Sequence, residues 1–376
     1  AAGMPAIDRR KVLQGMLLGA AGAAFTPGIF GQVEIPPGEI RLMFNENPYG
    51  PSPKALAEVA KMLPKTAYYP GAIEEDLIGL FMARHQLDRK QVFLASGSNE
   101  GLQAAMMAFG KRGKVIAPTL TYSDHLNYAE KLGVEVLRVP LRQDMAIDLE
   151  AMARAVDDSV SLVYLCNPNN PTGTYLPADE VIRLRDGLRD DVLLVIDAAY
   201  AEYVERADYT SGAELVETHD NVVMTRTFSK IYGLGGIRLG WAYCSGSVVG
   251  VLHRVRGPFN VNGAAQAAGT AAVRDAAFTD KVRAHNAKWL PWTRDRLMNL
   301  GLFATDSVGN FVLVCFNGLA DKDAEAADAF LKQNGIIVRH MAGYGLPECL
   351  RITIGSEPEM MAVVDTLARF LGRNAT

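Results

Sequence analysis

From about residue 90 the chain alternates short apolar runs with longer helix-like patterns, and this alternation limits the possible folds more than any other feature. Near-continuous apolar runs are typical of strands buried on both faces by helices, as in parallel sheets. The predicted strands are Val92–Ala95, Val115–Ala117, Val134–Val139, Leu162–Cys166, Leu193–Ile196, Val222–Thr225 and Leu239–Cys244. The predicted helices between them are Glu100–Phe109, Asp124–Lys131, Leu149–Val156 and Ala178–Leu188. The pattern predicts an α/β fold, a three-layer sandwich around a mostly parallel sheet.

The last third of the chain has a different order of elements. The predicted long helix is Lys281–Asn299. The three predicted strands are Phe311–Phe316, Ile336–Val338 and Leu350–Ile354, and the two further helices are Asp323–Asn334 and Pro358–Leu371. This order favours a smaller α+β domain. We therefore expect three parts: an N-terminal segment over 1–38, a large domain over 39–262 and a small domain over 263–376. An alternative division places part of the N-terminal segment in the small domain.

Composition excludes several classes of function. The 376 residues include 38 Lys plus Arg and 42 Asp plus Glu, so the net charge is −4 and nucleic acid is not an expected partner. The histidines and cysteines form no zinc-like spacing, so no metal is predicted. None of the cysteines forms a CxxC pair, and we expect buried free thiols at Cys166, Cys244, Cys315 and Cys349.

The N-terminus resembles a secretion signal. Arg9 and Arg10 precede a short stretch of apolar and small residues over 15–25. Paired arginines before such a stretch are typical of twin-arginine export, which favours a periplasmic location. The alternative is a cytoplasmic protein whose N-terminal helix packs on the protein or on a partner subunit. The stretch is too short for an ordinary membrane span.

Lys230 follows the apolar run 221–224, with small residues behind it and Arg238 eight positions on. A lysine removed from water beside a second cation loses its proton more readily and becomes a nucleophile toward carbonyls. The competing interpretation is a surface lysine in a glycine-rich turn. This stretch alone does not separate the two.

Polar residues follow five of the predicted strands, where ligands of open α/β sheets bind. The five strands are followed in turn by Ser96–Glu100 opening a helix, Tyr122, the stretch Asn167–Gly173, Asp197 with Tyr200, and Thr227–Lys230. Together they supply an anion cradle, a stacking ring, amides, a carboxylate and a lysine. This set suits pyridoxal phosphate, because the lysine can form its Schiff base and the carboxylate can pair with its pyridine nitrogen. A dinucleotide site fits less well because no GxGxxG follows an early strand, and there is no Walker A motif.

The sequence resembles the fold-type I pyridoxal-phosphate aminotransferases, and within them the histidinol-phosphate aminotransferase group. The resemblance covers roughly residues 42–355. The motifs that carry it are Asn45–Gly50, Tyr69–Gly71, Gly97–Glu100, Asn170–Gly173, Asp197–Tyr200, Ser229–Lys230, Arg238–Gly240 and Leu350–Gly355. Each motif is weak alone, but their order is specific for the fold and the cofactor. Ala198 and His340 depart from the family pattern, which commonly has an acidic residue and a proline there.

The resemblance implies a role for each matching residue. Lys230 would bind the cofactor and later carry the proton, Asp197 would pair with the pyridine nitrogen, and Tyr200 with Asn170 would bond the phenolic oxygen. Tyr122 would stack on the ring. The residues implied around the cofactor phosphate are Gly97, Ser98, Asn99, Thr227, Ser229, Arg238 and the partner subunit's Tyr69.

The resemblance also implies how substrates bind. Arg351 would clamp the substrate α-carboxylate, Arg339 would bind the distal end, and Asn45 and Tyr49 would lie in a loop covering the pocket. The reach of Tyr69 into a neighbour implies a homodimer. The implied activity is transamination of histidinol phosphate with 2-oxoglutarate. The alternatives are an aromatic amino-acid aminotransferase, a phosphothreonine-type decarboxylase, and, more remotely, a non-catalytic sensor that kept the cofactor pocket.

Overall fold

The computed structural model describes residues 38–70, 73–318 and 321–373, and those from Ile40 onward belong to one compact unit. The predicted export segment lies outside the described residues. The predicted division at residue 262 stays a prediction. No helix within the described ranges is long and apolar enough to cross a membrane.

Twelve strands in the described ranges form two sheets. They are β1 (Ile40–Leu42), β2 (Val92–Ala95), β3 (Lys114–Pro118), β4 (Val136–Val139), β5 (Val160–Cys166), β6 (Leu193–Asp197), β7 (Val222–Thr227), β8 (Gly240–Cys244), β9 (Phe303–Ala304), β10 (Phe311–Cys315), β11 (Ile336–His340) and β12 (Cys349–Thr353). The larger sheet has the order β2-β8-β7-β6-β5-β3-β4. Neighbouring strands in it are parallel except where β8 pairs antiparallel with β2 and β7. This confirms the mostly parallel sheet.

Twelve α-helices accompany the strands in the same ranges. They are α1 (Pro53–Met62), α2 (Ile73–His85), α3 (Ser98–Ala108), α4 (Asp124–Lys131), α5 (Leu149–Arg154), α6 (Ala178–Gly187), α7 (Ala213–Thr218), α8 (Gly246–Val255), α9 (Gly263–Arg274), α10 (Ala276–Asn299), α11 (Ala324–Gln333) and α12 (Glu357–Leu371). Buried apolar side chains form separate clusters on the two faces of the large sheet, so helices cover both faces. Every residue of β5 and β6 is buried, which explains their unbroken apolar runs.

The smaller sheet has the order β1-β11-β12-β10-β9. Strand β1 comes from the beginning of the described chain and pairs parallel with β11, whereas the other pairs are antiparallel. Arg339 on β11 lies directly opposite Arg351 on β12. This register brings two distant arginines together on one face of the sheet.

The expectation of four free thiols is wrong for Cys315 and Cys349, which form a disulfide. The two residues are register partners on the antiparallel strands β10 and β12, with Cα atoms 4.1 Å apart. Directly opposed cysteines on adjacent strands come close enough to bond, and a separation of 34 positions hides this in the sequence. Cys166 and Cys244 are buried and free, as expected.

Candidate active site

The polar residues predicted at the strand ends lie around Lys230. The neighbouring strands β5, β6 and β7 are parallel, so their carboxyl ends meet at one edge of the sheet. Asp197 ends β6 and Thr227 ends β7. Lys230 follows in a turn, where its Nζ donates a hydrogen bond to the carbonyl oxygen of Phe44 at 2.9 Å.

The environment of Lys230 favours its neutral form. Burial lowers its pKa to about 8, and the guanidinium of Arg351 contributes in the same direction. The carboxylates of Glu46 and Asp197 oppose that shift, and Arg238 adds to it. The sequence suggested Arg238 as the neighbouring cation, but Arg351 has the larger effect. Lys230 is therefore set up to act as a nucleophile and base near neutral pH.

Asp197 is 2% exposed. Its Oδ1 accepts a hydrogen bond from Thr225 Oγ1 at 3.1 Å, and its Oδ2 accepts one from Tyr164 Oη at 3.3 Å. Burial raises its pKa to about 6, while these two hydroxyls and Lys230 act in the opposite direction. Its carboxylate can thus be ionised at neutral pH and can pair with a cationic ring nitrogen. Sequence reasoning missed Tyr164 because an aromatic residue inside an apolar run is typical of core.

Tyr200 and Asn170 lie between Lys230 and the small sheet's arginines. The hydroxyl of Tyr200 accepts a hydrogen bond from Asn45 Nδ2 at 2.9 Å, and burial raises its pKa. Lys230 Nζ is 5.7 Å from the centre of the Tyr200 ring. Asn170 Oδ1 accepts a hydrogen bond from Arg351 Nη1 at 2.6 Å. The structure thus connects both predicted tuning residues to the substrate-binding elements.

The predicted phosphate cradle is assembled at the start of α3. Gly97 is the N-cap of α3 with φ of +79°, and a Cβ there would collide with the guanidinium of Arg238. Arg238 Nη1 donates a hydrogen bond to Ser229 Oγ at 3.4 Å. The backbone N–H of Ser229 donates to Thr227 Oγ1 at 3.1 Å. The first N–H groups of a helix lack intrahelical acceptors and bind anions well. A guanidinium, two hydroxyls and a helix N-terminus therefore converge, as a phosphate monoester requires.

Two buried polar atoms in the site have no hydrogen-bond partner within the described ranges. These are Oδ1 of Asn99, in the first turn of α3, and Nε of Arg351. The N–H at Arg351 Nε is a donor that an anionic ligand atom can accept from, whereas the Asn99 oxygen is an acceptor and does not itself favour a phosphate. The residues present thus fit pyridoxal phosphate and an anionic substrate. Tyr122, the predicted stacking residue, follows β3 and is half-buried, with its ring centre 5.7 Å from that of His125.

The loop over residues 44–50 covers this site. Asn45 adopts a φ of +55°, and its backbone N–H donates to Thr353 Oγ1 at 2.9 Å. Asn47 Nδ2 donates to the carbonyl oxygen of Ile231 at 2.8 Å. Tyr49 lies at the outer end, 39% exposed, with its hydroxyl 3.0 Å from His285 Nδ1. Asn45 therefore faces the site, while Tyr49 anchors the loop to α10.

Tyr69 lies outside this arrangement. It is 81% exposed, and its ring stacks on that of Phe259 with centres 4.8 Å apart.

Comparisons with known proteins agree with this geometry. A family model described as aminotransferase class I and II matches residues 37–367. The chain is 49% identical over 338 residues to histidinol-phosphate aminotransferase of Paramagnetospirillum magneticum, covering 89% of this chain and 92% of that one. It is 47% identical over 333 residues to the enzyme of the same name from Rhodospirillum rubrum, covering 88% and 90%.

A solved structure shows the same fold with the cofactor. It is histidinol-phosphate aminotransferase from Sinorhizobium meliloti in complex with pyridoxal-5'-phosphate, with a TM-score of 0.81, 26% identity, and coverage of 94% of this chain and 99% of that one. The order of motifs, the geometry around Lys230 and these relatives lead to one assignment. The chain belongs to the aminotransferase class I and II family and is a pyridoxal-phosphate-dependent aminotransferase.

Proposed function

We propose that this aminotransferase takes histidinol phosphate as its amino donor and 2-oxoglutarate as its acceptor. The observation that carries the proposal is the pair of arginines facing each other across β11 and β12, Arg339 and Arg351. Relatives 47–49% identical to the chain bear the name histidinol-phosphate aminotransferase.

The two arginines differ in how they are held. Arg351 is buried, and its Nη2 donates to the carbonyl oxygen of Met43 at 2.7 Å while Nη1 is bonded to Asn170. Arg339 is half-buried and stands 5.9 Å from the centre of the Phe44 ring. No described residue forms an ion pair with Arg339. Arg351 is thus fixed by hydrogen bonds, whereas the carboxylate of Asp124 acts on Arg339 only through its charge.

This pair suits both substrates. A phosphate dianion can be shared between two guanidiniums, which bind such oxygens in bidentate fashion. A dicarboxylate can place one carboxylate on Arg351 and the other on Arg339. One site therefore serves a phosphorylated donor and a dicarboxylic acceptor in turn. A plain aromatic donor would leave one guanidinium without an anion.

The chain's own residues would divide the chemical work. When bound, pyridoxal phosphate would supply an aldehyde carbon that can exchange Lys230 for the donor's amino group, and a ring that withdraws electrons from the reacting carbon. Because burial and Arg351 lower its pKa to about 8, Lys230 is more easily neutral than an ordinary lysine and would remove the proton from that carbon. Asp197 would hold the proton on the pyridine nitrogen, and Tyr200 would donate to the phenolic oxygen. The covering loop, hydrogen-bonded to Tyr200 through Asn45, would limit the access of water.

Half-reactions with a panel of donors test the proposal. The panel contains histidinol phosphate, phenylalanine, tyrosine, glutamate and phosphothreonine. We expect histidinol phosphate to react with the highest kcat/KM, and Arg339→Gln to lower that value roughly 10- to 100-fold, as the loss of a charge-assisted contact would. Phenylalanine should be affected much less. The matched control is Arg142→Gln, an exposed arginine paired with Asp144. Equal rates for phosphorylated and plain aromatic donors would overturn the proposal.

A homodimer is the proposed active unit. Tyr68, Tyr69 and Phe259 are 78%, 81% and 59% exposed and include a stacked pair. Large exposed aromatic clusters are typical of protein interfaces, and a second copy covering this surface would bring the partner subunit's Tyr69 toward the phosphate cradle. Light scattering should give a dimer mass, which Phe259→Ala should shift toward the monomer. A monomeric, fully active wild type would contradict it.

The proposed location is the periplasm. Support comes from Arg9 and Arg10 before the apolar stretch and from the disulfide between Cys315 and Cys349, because disulfides persist in oxidising compartments. Fractionation of cells carrying the native gene should recover the protein in the periplasm, and Arg9→Lys with Arg10→Lys should retain it inside. Cytoplasmic recovery of unprocessed wild type would count against export.

A further inference from the structure

The carboxylate of Asp197 receives hydroxyl donors from both neighbouring strands. Thr225 on β7 is its register partner, and Cys166 on β5 is its partner on the other side. Tyr164 stands two residues before Cys166 and therefore projects from the same face of the sheet. One hydroxyl reaches each carboxylate oxygen, at 3.1 Å from Thr225 and 3.3 Å from Tyr164.

Tyr164 is completely buried, so its hydroxyl has little freedom to move. The ring of His125 packs edge-on against it, with centres 4.3 Å apart. Burial lowers the pKa of His125 to about 3, so this neighbour is a neutral packing group. A rigid phenol aimed at a buried carboxylate is a costly arrangement for packing alone, because both polar groups lose water.

We infer that Tyr164, together with Thr225, is a positioning residue that keeps the Asp197 carboxylate ionised and oriented toward the pyridine nitrogen of the cofactor. Each carboxylate oxygen has two lone pairs, and the hydroxyls occupy one on each. The backbone N–H of Ala199 also donates to this carboxylate. Three donors thus leave one of the four lone pairs for the ring N–H. Because a hydroxyl can donate to the charged carboxylate, it stabilises the ionised form over the protonated one.

Among the titratable groups that interact with Asp197, none changes its charge in the pH range in which Asp197 titrates. The titratable groups that act on it are Tyr122, Tyr164, Cys166, Tyr200, Tyr209 and Lys230. Burial raises the pKa of the four tyrosines and the thiol, so they stay neutral. The pKa of Lys230 is about 8, so it titrates above the range in which Asp197 does.

The test compares two cofactors on cofactor-free protein. One is pyridoxal phosphate, and the other is its carbocyclic analogue in which C–H replaces the ring nitrogen. We expect Tyr164→Phe to weaken binding of pyridoxal phosphate about tenfold and binding of the analogue little, since only the first has an N–H for Asp197. Thr225→Val should also weaken binding of pyridoxal phosphate and not of the analogue. The double variant of Tyr164→Phe and Thr225→Val should bind pyridoxal phosphate more weakly than either single variant. The acid midpoint of pyridoxal phosphate binding should also move to higher pH.

Tyr203→Phe is the matched control. Tyr203 is also buried, but its hydroxyl has no hydrogen-bond partner in the described part of the chain. Removing the Tyr203 hydroxyl should leave the dissociation constants of both pyridoxal phosphate and the analogue unchanged. If Tyr164→Phe binds both cofactors like the wild type, or weakens both equally while the acid midpoint stays in place, the inference is wrong. Thermal unfolding of each cofactor-free variant separates a loss of folding from a loss of positioning.

Discussion

Replacing Asp197 by asparagine should make the cofactor-free protein more stable while weakening its hold on the cofactor. The pKa of Asp197 is raised from 3.8 to about 6 because the carboxylate is buried. A raised carboxyl pKa means that the folded protein binds the proton more tightly than the unfolded chain. Ionising the group therefore costs stability, and the cost grows as pH rises from 3.8 through 6.

The magnitude follows from the two pKa values. The cost is on the order of 2 kcal/mol at pH 5 and 3 kcal/mol at pH 8, because one pKa unit corresponds to about 1.4 kcal/mol. The amide that replaces the carboxylate would carry no charge at either pH. The stability of Asp197→Asn relative to wild type should thus increase by about 1 kcal/mol between pH 5 and pH 8.

Urea unfolding of the cofactor-free proteins at several pH values measures this difference. The control is Asp144→Asn. Burial raises the pKa of Asp144, but hydrogen bonds from Ala146 and Arg142 more than offset this, so its pKa is lowered. Both its folded and unfolded forms are ionised from pH 5 upward, and its effect should not vary with pH. A pH-independent difference for Asp197→Asn would refute the reasoning, and so would a difference that falls as pH rises.

Three further predictions follow from single contacts. Gly97→Ala should weaken cofactor binding about tenfold in equilibrium dialysis, because the added Cβ displaces the Arg238 guanidinium from the phosphate cradle and a φ of +79° strains an alanine. Cys315→Ser should remove the disulfide between residues 34 positions apart. In non-reducing buffer, its free energy of unfolding should be lower than that of wild type by up to about 4 kcal/mol. In reducing buffer, the variant and the reduced wild type should be equally stable. His285→Phe should raise the KM of the donor more than it lowers kcat, because it frees Tyr49 and the covering loop, and steady-state kinetics will show the split.

The strand ends could be predicted from the sequence because the signals are local. Strand β2 and helix α4 lie at the residues expected for them, Val92–Ala95 and Asp124–Lys131. A buried strand is an apolar run, and the polar residues at its end stand next to it in the chain. Lys230, Asp197 and the phosphate cradle were identified in this way.

Contacts set by strand register were not predictable. The opposition of Arg339 to Arg351 and the bond between Cys315 and Cys349 depend on how β10, β11 and β12 align, which one sequence does not record. Tyr164 was missed because an aromatic residue inside an apolar run is typical of core, and its hydrogen-bond partner is on a neighbouring strand. Among the helices, α1, α2, α7, α8 and α9 were not predicted. Pro53 after the N-cap Ser52 is a start signal for α1, and α9 is rich in small residues that show little periodicity.

The direct test of the central claim is to find which residue carries the cofactor. Purified protein is loaded with pyridoxal phosphate, reduced with borohydride and digested, and the labelled peptide is identified by mass spectrometry. We predict one labelled peptide, containing Lys230, with the visible absorbance lost in Lys230→Ala. Label on another lysine, or an unchanged reducible absorbance band in Lys230→Ala, would contradict the assignment of this site.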